Sequence, residues 1–334
     1  MKKIFTIFIL TFLGKIAIAQ DPHFSQFFAS PLTLNPAFTG KFNGNYRLAG
    51  NYRNQWPAIN NAFITSTASI DFHILQNSIP NNNTFGVGFS FLSDNSANNA
   101  VKLNYASVST AYHKGLDEDG NNQLGIGVQA TYANMFINTS NLKFEDQLES
   151  TGFTGISKEP FDGATLQSNY FDLNAGILFT GSSNENNNYY AGISMYHINK
   201  PKQKFNNTDY FLNQRITAQA GGYFLVNPNL GIHLSGLYSL QGGANETVIG
   251  GTTQIIANPD AASPVSVYAG GWLRLNDAFI PYIGLEFSNA RLGISYDVNT
   301  SSLKTATISR GGIEISLIYT HQPNTDKPVN CPKL

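Results

Sequence analysis

From residue 45 onward the chain is written in period two. Runs of about ten residues alternate apolar with small or polar side chains, and each run ends in Asn, Gly, Asp or Pro. Leu124, Ile126, Val128, Ala130 and Tyr132 alternate with Gly125, Gly127, Gln129, Thr131 and Ala133. Ile216, Ala218, Ala220, Gly222, Phe224 and Val226 alternate with Arg215, Thr217, Gln219, Gly221, Tyr223 and Leu225. Leu292, Ile294, Tyr296 and Val298 alternate with Arg291, Gly293, Ser295 and Asp297. Successive strand side chains point to opposite faces, so each run predicts a strand with one apolar face and one small or polar face. About fourteen such strands, within two either way, begin near Tyr46, Phe63, Thr84, Leu103, Gln123, Tyr170, Tyr189, Arg215, Leu230, Thr247, Ser266, Phe279, Arg291 and Gly311. The stretches 247–256 and 266–274 alternate poorly. Helical periodicity is nearly absent beyond residue 40.

In a soluble sandwich the second face would carry Lys and Glu; here it carries Gly, Ser, Thr, Asn and Gln. Charged residues make up 12% of the chain, against roughly 25% in ordinary soluble domains. Aromatics reach 13%, with 24 Phe and 16 Tyr against 2 Trp, and Tyr105, Tyr112, Tyr189 and Tyr190 stand at strand ends, where interfacial girdles form. The predicted fold is therefore all-β: a transmembrane antiparallel β-barrel, integral to the outer membrane, its apolar face on lipid and its polar face on the lumen. An even strand count returns both ends to the periplasmic side. The two longest connections, about Asn138 to Asn169 and Asn199 to Gln214, then fall outside, and the tight turns Asn227-Pro228-Asn229 and Ser288-Asn289 fall inside, as bacterial barrels require.

The start of the chain reads as an export signal over residues 1–19. Lys2 and Lys3 precede an apolar run from Ile4 to Leu13, and Ala17-Ile18-Ala19 is a small-x-small cleavage site before Gln20. No cysteine follows the cut, so lipid anchoring through an N-terminal cysteine is not expected. The remaining expected divisions are an N-terminal plug at 20–44, the barrel at 45–320 and a periplasmic tail at 321–334.

Residues 21–40 do not predict a strand, because Pro22, Pro31 and Pro36 each lack a ladder donor. Two short helical turns fit better, the first capped by Asp21 with Pro22 following, the second by Asn35 with Pro36 following. Phe24, Phe27 and Phe28 fall at i, i+3 and i+4 on one face. Those rings need burial, either in the barrel's periplasmic mouth or against a partner protein.

This segment resembles the N-terminus of the PorP/SprF family, membrane proteins linked to type IX secretion in Bacteroidetes. The matching residues are Gln20-Asp21-Pro22, Phe24-Ser25-Gln26, Pro31-Leu32, Leu34-Asn35-Pro36-Ala37 and Gly40, then Arg47 and Tyr52-Arg53-Asn54-Gln55-Trp56. The ending Cys331-Pro332-Lys333-Leu334 is similar to the family's close, with Leu334 in place of an aromatic; Phe38-Thr39 stand where Tyr-Ala is usual. The resemblance implies a non-enzymatic barrel that works with the type IX machinery. It also implies help in exporting or anchoring large surface proteins, gliding adhesins among them, that carry C-terminal sorting domains. A passive channel for small solutes is the alternative that the polar lumen face leaves open. Arg53 would cost roughly 2–4 kcal/mol on a midplane lipid face. It should instead face the lumen or outer rim, stacked on Tyr52 or Trp56, either to latch the N-terminal segment or to meet a partner.

Other chemistry is weakly represented. Net charge is −1, which argues against nucleic acid, whose phosphates call for a basic surface. The six histidines are scattered without ligand spacing, no nucleophile elbow or nucleotide loop is present, and no cofactor is expected. Asp117-Glu118-Asp119-Gly120 is similar to a calcium loop but lacks its alternation and distal Glu, so a solvated periplasmic turn is the expected reading. Paired glycines at period two (Gly86 and Gly88, Gly125 and Gly127) are expected to relieve crowding in a curved sheet.

Overall fold

In the computed structural model the alternating runs pair edge to edge until they meet. It describes residues 20–321 apart from 60–61, 77, 155–156, 160–162, 185, 206–207 and 258–264. The signal peptide assigned to 1–19 and the tail carrying Cys331 lie outside the described residues. The fourteen strands of the closed barrel are Tyr46–Gln55, Phe63–Ile74, Thr84–Ser96, Val101–Gly115, Asn122–Asn138, Thr165–Asn184, Asn187–Tyr196, Arg215–Asn227, Leu230–Gln241, Ala244–Ala257, Val265–Arg274, Ala278–Phe287, Ala290–Asn299 and Arg310–His321. Every pair is antiparallel, and the first strand closes on the last with Tyr46 opposite His321 and Gln55 opposite Gly312. Closure removes the unpaired edges that hydrocarbon cannot satisfy. No helix among the described residues is long and apolar enough to cross a membrane.

Strand starts agree with the sequence pattern to within three residues, except that the Tyr170 run begins at Thr165. Those five added residues carry no apolar alternation to announce them. The two poorly alternating stretches do form strands, Ala244–Ala257 and Val265–Arg274; Gly250-Gly251 and Gly270-Gly271 interrupt their apolar sets.

The barrel has one rim where the first and last strands meet the chain ends, here the terminal rim, and an opposite, far rim. The connections 139–164 and 197–214 lie on the far rim, and the turns at 228–229 and 288–289 on the terminal rim. Each long connection carries a small hairpin, Leu148–Glu149 with Gly152–Phe153 and Lys202–Phe205 with Thr208–Phe211.

The faces sort as the pattern demands. Ile126 (58% exposed) and Val128 (51%) look outward, while Gln123, Gln129 and Thr131 on the same strand are buried inside. What buries them is the N-terminal segment, which fills the lumen. It forms three short turns rather than two: Phe27–Ala29, Pro31–Leu34 and Pro36–Phe38. Asn35 caps the third turn as expected, accepting from Ala37 N at 2.8 Å. Asp21 caps nothing, because no helical turn follows it directly and its carboxylate is taken by side chains of the wall.

The segment also runs further than a mouth plug would. Asp21 meets His197 and Arg215 at the far rim, and Gly40 N donates to Asp71 near the terminal rim at 2.8 Å. The chain is threaded through the whole barrel, leaving at Asn45 beside His321. Phe24, Phe27, Phe28 and Phe38 are buried in the lumen, each ring contributing about 1.5–3 kcal/mol of apolar burial.

Candidate functional site

The lumen holds the threaded segment at three polar seats joined by an apolar band. The first seat grips Ser25 and Gln26. Ser25 Oγ donates to Asp297 (2.8 and 2.9 Å to its two oxygens). The backbone N–H groups of Ser25 and Gln26 donate to the two oxygens of Glu314 at 2.8 and 2.9 Å. Gln26 Nε2 reaches Ser295 Oγ and the Glu314 carbonyl, and Gln26 Oε1 accepts from Ser316 Oγ at 2.6 Å. Two guanidinium groups balance the acids. Arg53 donates to Asp297 at 2.9 Å and to the His23 carbonyl at 2.6 Å. Arg274 donates to Asp297 at 2.9 Å and Ser25 Oγ at 2.6 Å, with Glu246 at 3.4 Å. His23 closes the ring on Glu246 at 3.0 Å. Charge-assisted bonds of this kind are shorter and stronger than neutral ones, and their burial makes an unpaired member costly.

The second seat holds Asp21. His197 Nε2 lies 2.7 Å from Asp21 and its Nδ1 lies 3.0 Å from Asp172. Arg215 adds a pair at 3.4 Å and Gln241 donates at 3.1 Å. Burial opposes charge on Asp21, yet Arg215 and His197 outweigh it and hold the carboxyl well below its usual range. Burial likewise works against charge on His197, but Asp21 and Asp172 prevail and raise its pKa to about 9. The ring is therefore an imidazolium at neutral pH, clamped between two carboxylates.

The third seat lies toward the terminal rim. Arg47 forms a fork on Asp71 at 3.0 and 2.8 Å and reaches the Phe38 carbonyl at 3.1 Å. Lys41 Nζ donates to Gln123 at 2.5 Å. Between the seats, Phe28 stacks on Trp272 at 4.6 Å and meets Tyr282 edge-on, while Asn35 donates to the Ile177 and Ile193 carbonyls.

Glycines make room for this path. Gly40 adopts φ +70°, and a Cβ there would stand 2.6 Å from the Gly86 Cα. A Cβ on Gly127 would strike the Pro36–Ala37 backbone. Inward glycines thus serve the threaded chain, not sheet curvature alone as the sequence suggested.

The structure brings most of the motif together. Asp21, Phe24, Ser25, Gln26, Pro31, Leu34, Asn35, Pro36, Ala37 and Gly40 all pack inside the barrel, Pro22 lines a gap at its far rim, and Arg53 reaches the segment from the first strand. Tyr52 does not join them; it faces outward. Gln55 ends the strand, and Trp56 takes a left-handed φ of 54° just beyond, edge-on to Phe63. Arg53 stacks on neither ring. Tyr52 lies on the opposite face of the strand, so the guanidinium pairs with Asp297 instead. The sequence reading missed Asp297, Glu314, Arg274, Glu246, His197 and Asp172. For all but His197, which follows a strand end, the signal was present: charged residues at inward positions of strands that are otherwise nearly uncharged.

Gaps beside the segment measure about 60, 40 and 20 Å³, each above the roughly 10–15 Å³ that a single water needs. The Asp117 turn is closed by Asn122, whose N and Nδ2 donate to its carboxylate at 2.9 and 2.7 Å. Among the described residues no three His, Cys, Asp or Glu side chains converge as metal ligands.

A family model described as Type IX secretion system membrane protein PorP/SprF matches residues 16–319. No curated protein matches the chain. Among solved structures, the Ralstonia pickettii toluene transporter TbuX is 8% identical, with 87% of this chain and 91% of that chain covered and a TM-score of 0.44. A Pseudomonas aeruginosa FadL homologue is 10% identical, covering 87% and 94%, with a TM-score of 0.46. The Pseudomonas putida toluene transporter TodX is 10% identical, covering 86% and 92%, with a TM-score of 0.47. Likenesses at this level carry no argument about function.

Proposed function

Because the chain belongs to the PorP/SprF family of type IX secretion system membrane proteins, we propose that it is a non-enzymatic outer-membrane component that helps export and hold large cell-surface proteins. Gliding adhesins with C-terminal sorting domains are the expected clients. The far rim, with its two long connections, faces the exterior and receives the exported chain. The terminal rim faces the periplasmic machinery.

The observation that carries this reading is the occupied lumen. A segment held by three buried polar seats suits a barrel that binds a partner at its rims better than a barrel that passes solutes. The threading also moves the start of the segment to the far rim, so Asp21 to Phe24 sit with the outer connections and not with the periplasmic machinery. Deleting the gene should strip specific large proteins from the cell surface, read by protease shaving and immunoblot. Normal display of every surface protein, with normal gliding or adhesion, sinks the reading. The passive-channel alternative makes the opposite claim in planar bilayers, where it requires a steady open conductance from the full chain.

A further inference from the structure

The strand Thr165–Asn184 has 20 residues, about twice the 9–11 that cross a bilayer. On one side it pairs along its whole outer half, up to Asn138 opposite Thr165. On the other side its neighbour begins pairing only at Ala175, opposite Met195, and the chain turns away at His197. Residues 165–174 therefore overhang the barrel at the far rim with one open edge.

The lowest rungs of that edge are closed by the departing chain. Ile198 N donates to the Leu173 carbonyl at 3.0 Å. Asn199 accepts from Leu173 N at 3.0 Å and donates to the Phe171 carbonyl at 2.8 Å. Alternate residues of a strand face alternate neighbours, so the next groups on this edge belong to Asn169, Gln167 and Thr165. Among the described residues no hydrogen bond reaches their backbone from this side. The hairpin Lys202–Phe205 with Thr208–Phe211 lies against the same stretch, Lys204 N donating to Ser168 Oγ at 3.0 Å and Gln203 Nε2 to the Tyr170 hydroxyl at 3.3 Å, but among the described residues no ladder bond joins the two.

Open edges are normally blunted by lysine, proline or a bulge. Thr165–Phe171 has none: it is uncharged, free of proline and regular in register. Beside it, Phe171 (71% exposed) and Tyr132 form an outward aromatic shelf, their rings 5.4 Å apart. We propose that this edge receives an added β-strand from the exported polypeptide. The edge's own groups dictate the occupant. Repeating backbone donors and acceptors select an extended chain, the lack of charge selects an uncharged stretch, and the shelf selects an apolar or aromatic side chain at alternate positions. The proposal rests on the secretion reading above.

The test uses the full-length protein in its native cells. Gln167→Pro with Asn169→Pro removes two edge-facing N–H groups without touching those that pair with Asn122–Asn138. Surface display of the client should fall about tenfold, the effect of losing roughly one or two net hydrogen bonds, while the barrel stays heat-modifiable on gels. In a Cys331→Ser background, Asn169→Cys labelled with benzophenone maleimide should photocrosslink to an exported surface protein, and the lipid-facing Ile283→Cys labelled in the same way should not. Should the proline pair fail to fold, the crosslink still decides. Full display in the proline pair, or no client crosslink, overturns the proposal while loss of display on gene deletion leaves the secretion reading standing. Crosslinks between copies of this chain alone overturn it in favour of self-pairing. Normal display on gene deletion sinks both.

Discussion

Asp297 is the single acceptor shared by Arg53, Arg274 and Ser25, so Asp297→Asn tests what holds the segment in the lumen. The substitution keeps shape and some hydrogen bonding but removes the charge facing two guanidinium groups at 2.9 Å each. Removing one partner of a buried ion pair costs about 3–5 kcal/mol, because the other charge is left uncompensated. Glu314, the Asp71 seat and the stacked rings still hold elsewhere, so the cost falls on the seat and not on the barrel. At 1.4 kcal/mol per decade, the unseated population rises by about 10²- to 4 × 10³-fold. A Cys331→Ser, Ser30→Cys chain in lipid vesicles reports this directly. Ser30 is buried in the threaded segment, and labelling by a water-soluble maleimide tracks the open population when reclosing is fast. Asp209→Asn, which breaks the solvent-exposed Lys202–Asp209 pair, is the control and should leave the rate unchanged, since such pairs contribute about 0–1 kcal/mol. An Asp297→Asn labelling rate within twofold of its parent refutes the shared-acceptor account.

Other outcomes follow from the same geometry. His197 has its folded pKa raised to about 9, so its contribution to seating is fully present below its ordinary value and is lost as pH climbs through 6.5 toward 9. Asp21 is the partner of His197 on the threaded segment, while Asp172 stays with the wall, so the Asp21 share is what seating loses, and hydrogen exchange of residues 20–30 should quicken over this window; a His197→Gln chain should show no such dependence. Gly127→Ala drives a methyl into the Pro36–Ala37 backbone and should destabilise the threaded state by about 1–3 kcal/mol, whereas Gly50→Ala, where a Cβ meets only the Thr67 carbonyl at 3.7 Å, should be neutral in the same labelling assay. Ile283→Lys places a charge at an outward mid-strand position 62% exposed and should cost about 2–4 kcal/mol in denaturant unfolding from lipid; no change in midpoint would deny that this face meets hydrocarbon.

The barrel was legible because its code is local. Alternation along a run such as 124–133 fixes both the strand and its lipid face, and the asymmetry between long and tight connections fixes which rim each belongs to. The threaded segment was only partly legible. Its prolines and the Asn35 cap announced short turns, and Phe24, Phe27 and Phe28 announced burial. Its path did not follow, because the first seat is made by residues some 250–290 positions away, as Ser25 with Arg274 or Gln26 with Glu314, and the second by His197, 176 positions from Asp21. No local rule pairs such distant positions. Arg53 was correctly sent to the lumen by the cost of lipid, but its partner could not be named, and the neighbouring rings were wrongly favoured because they were near in sequence. The overhang at 165–174 was invisible for the opposite reason: outside the bilayer nothing forces the alternation on which the reading relied.

The position of the first seat bears on how the barrel closes. Arg53 and Glu314 stand opposite one another across the seam where first strand meets last, and both grip the segment. That seam therefore completes the seat, and the seat in turn neutralises the seam. Without Ser25 and Gln26, the carboxyl groups of Asp297, Glu314 and Glu246 would face two guanidinium groups, and Glu314 would lose both backbone N–H donors. A buried acid stripped of its donors costs about 1–3 kcal/mol per lost partner. Deleting residues 22–42 should therefore do more than open a pore. It should loosen the pairing of Tyr46–Gln55 with Arg310–His321, raising amide exchange there above that of the Asn122–Asn138 and Thr165–Asn184 pair, which lies away from this cluster. Equal protection of the two seams in the deleted protein would show that the segment is merely lodged in the barrel and takes no part in holding it shut.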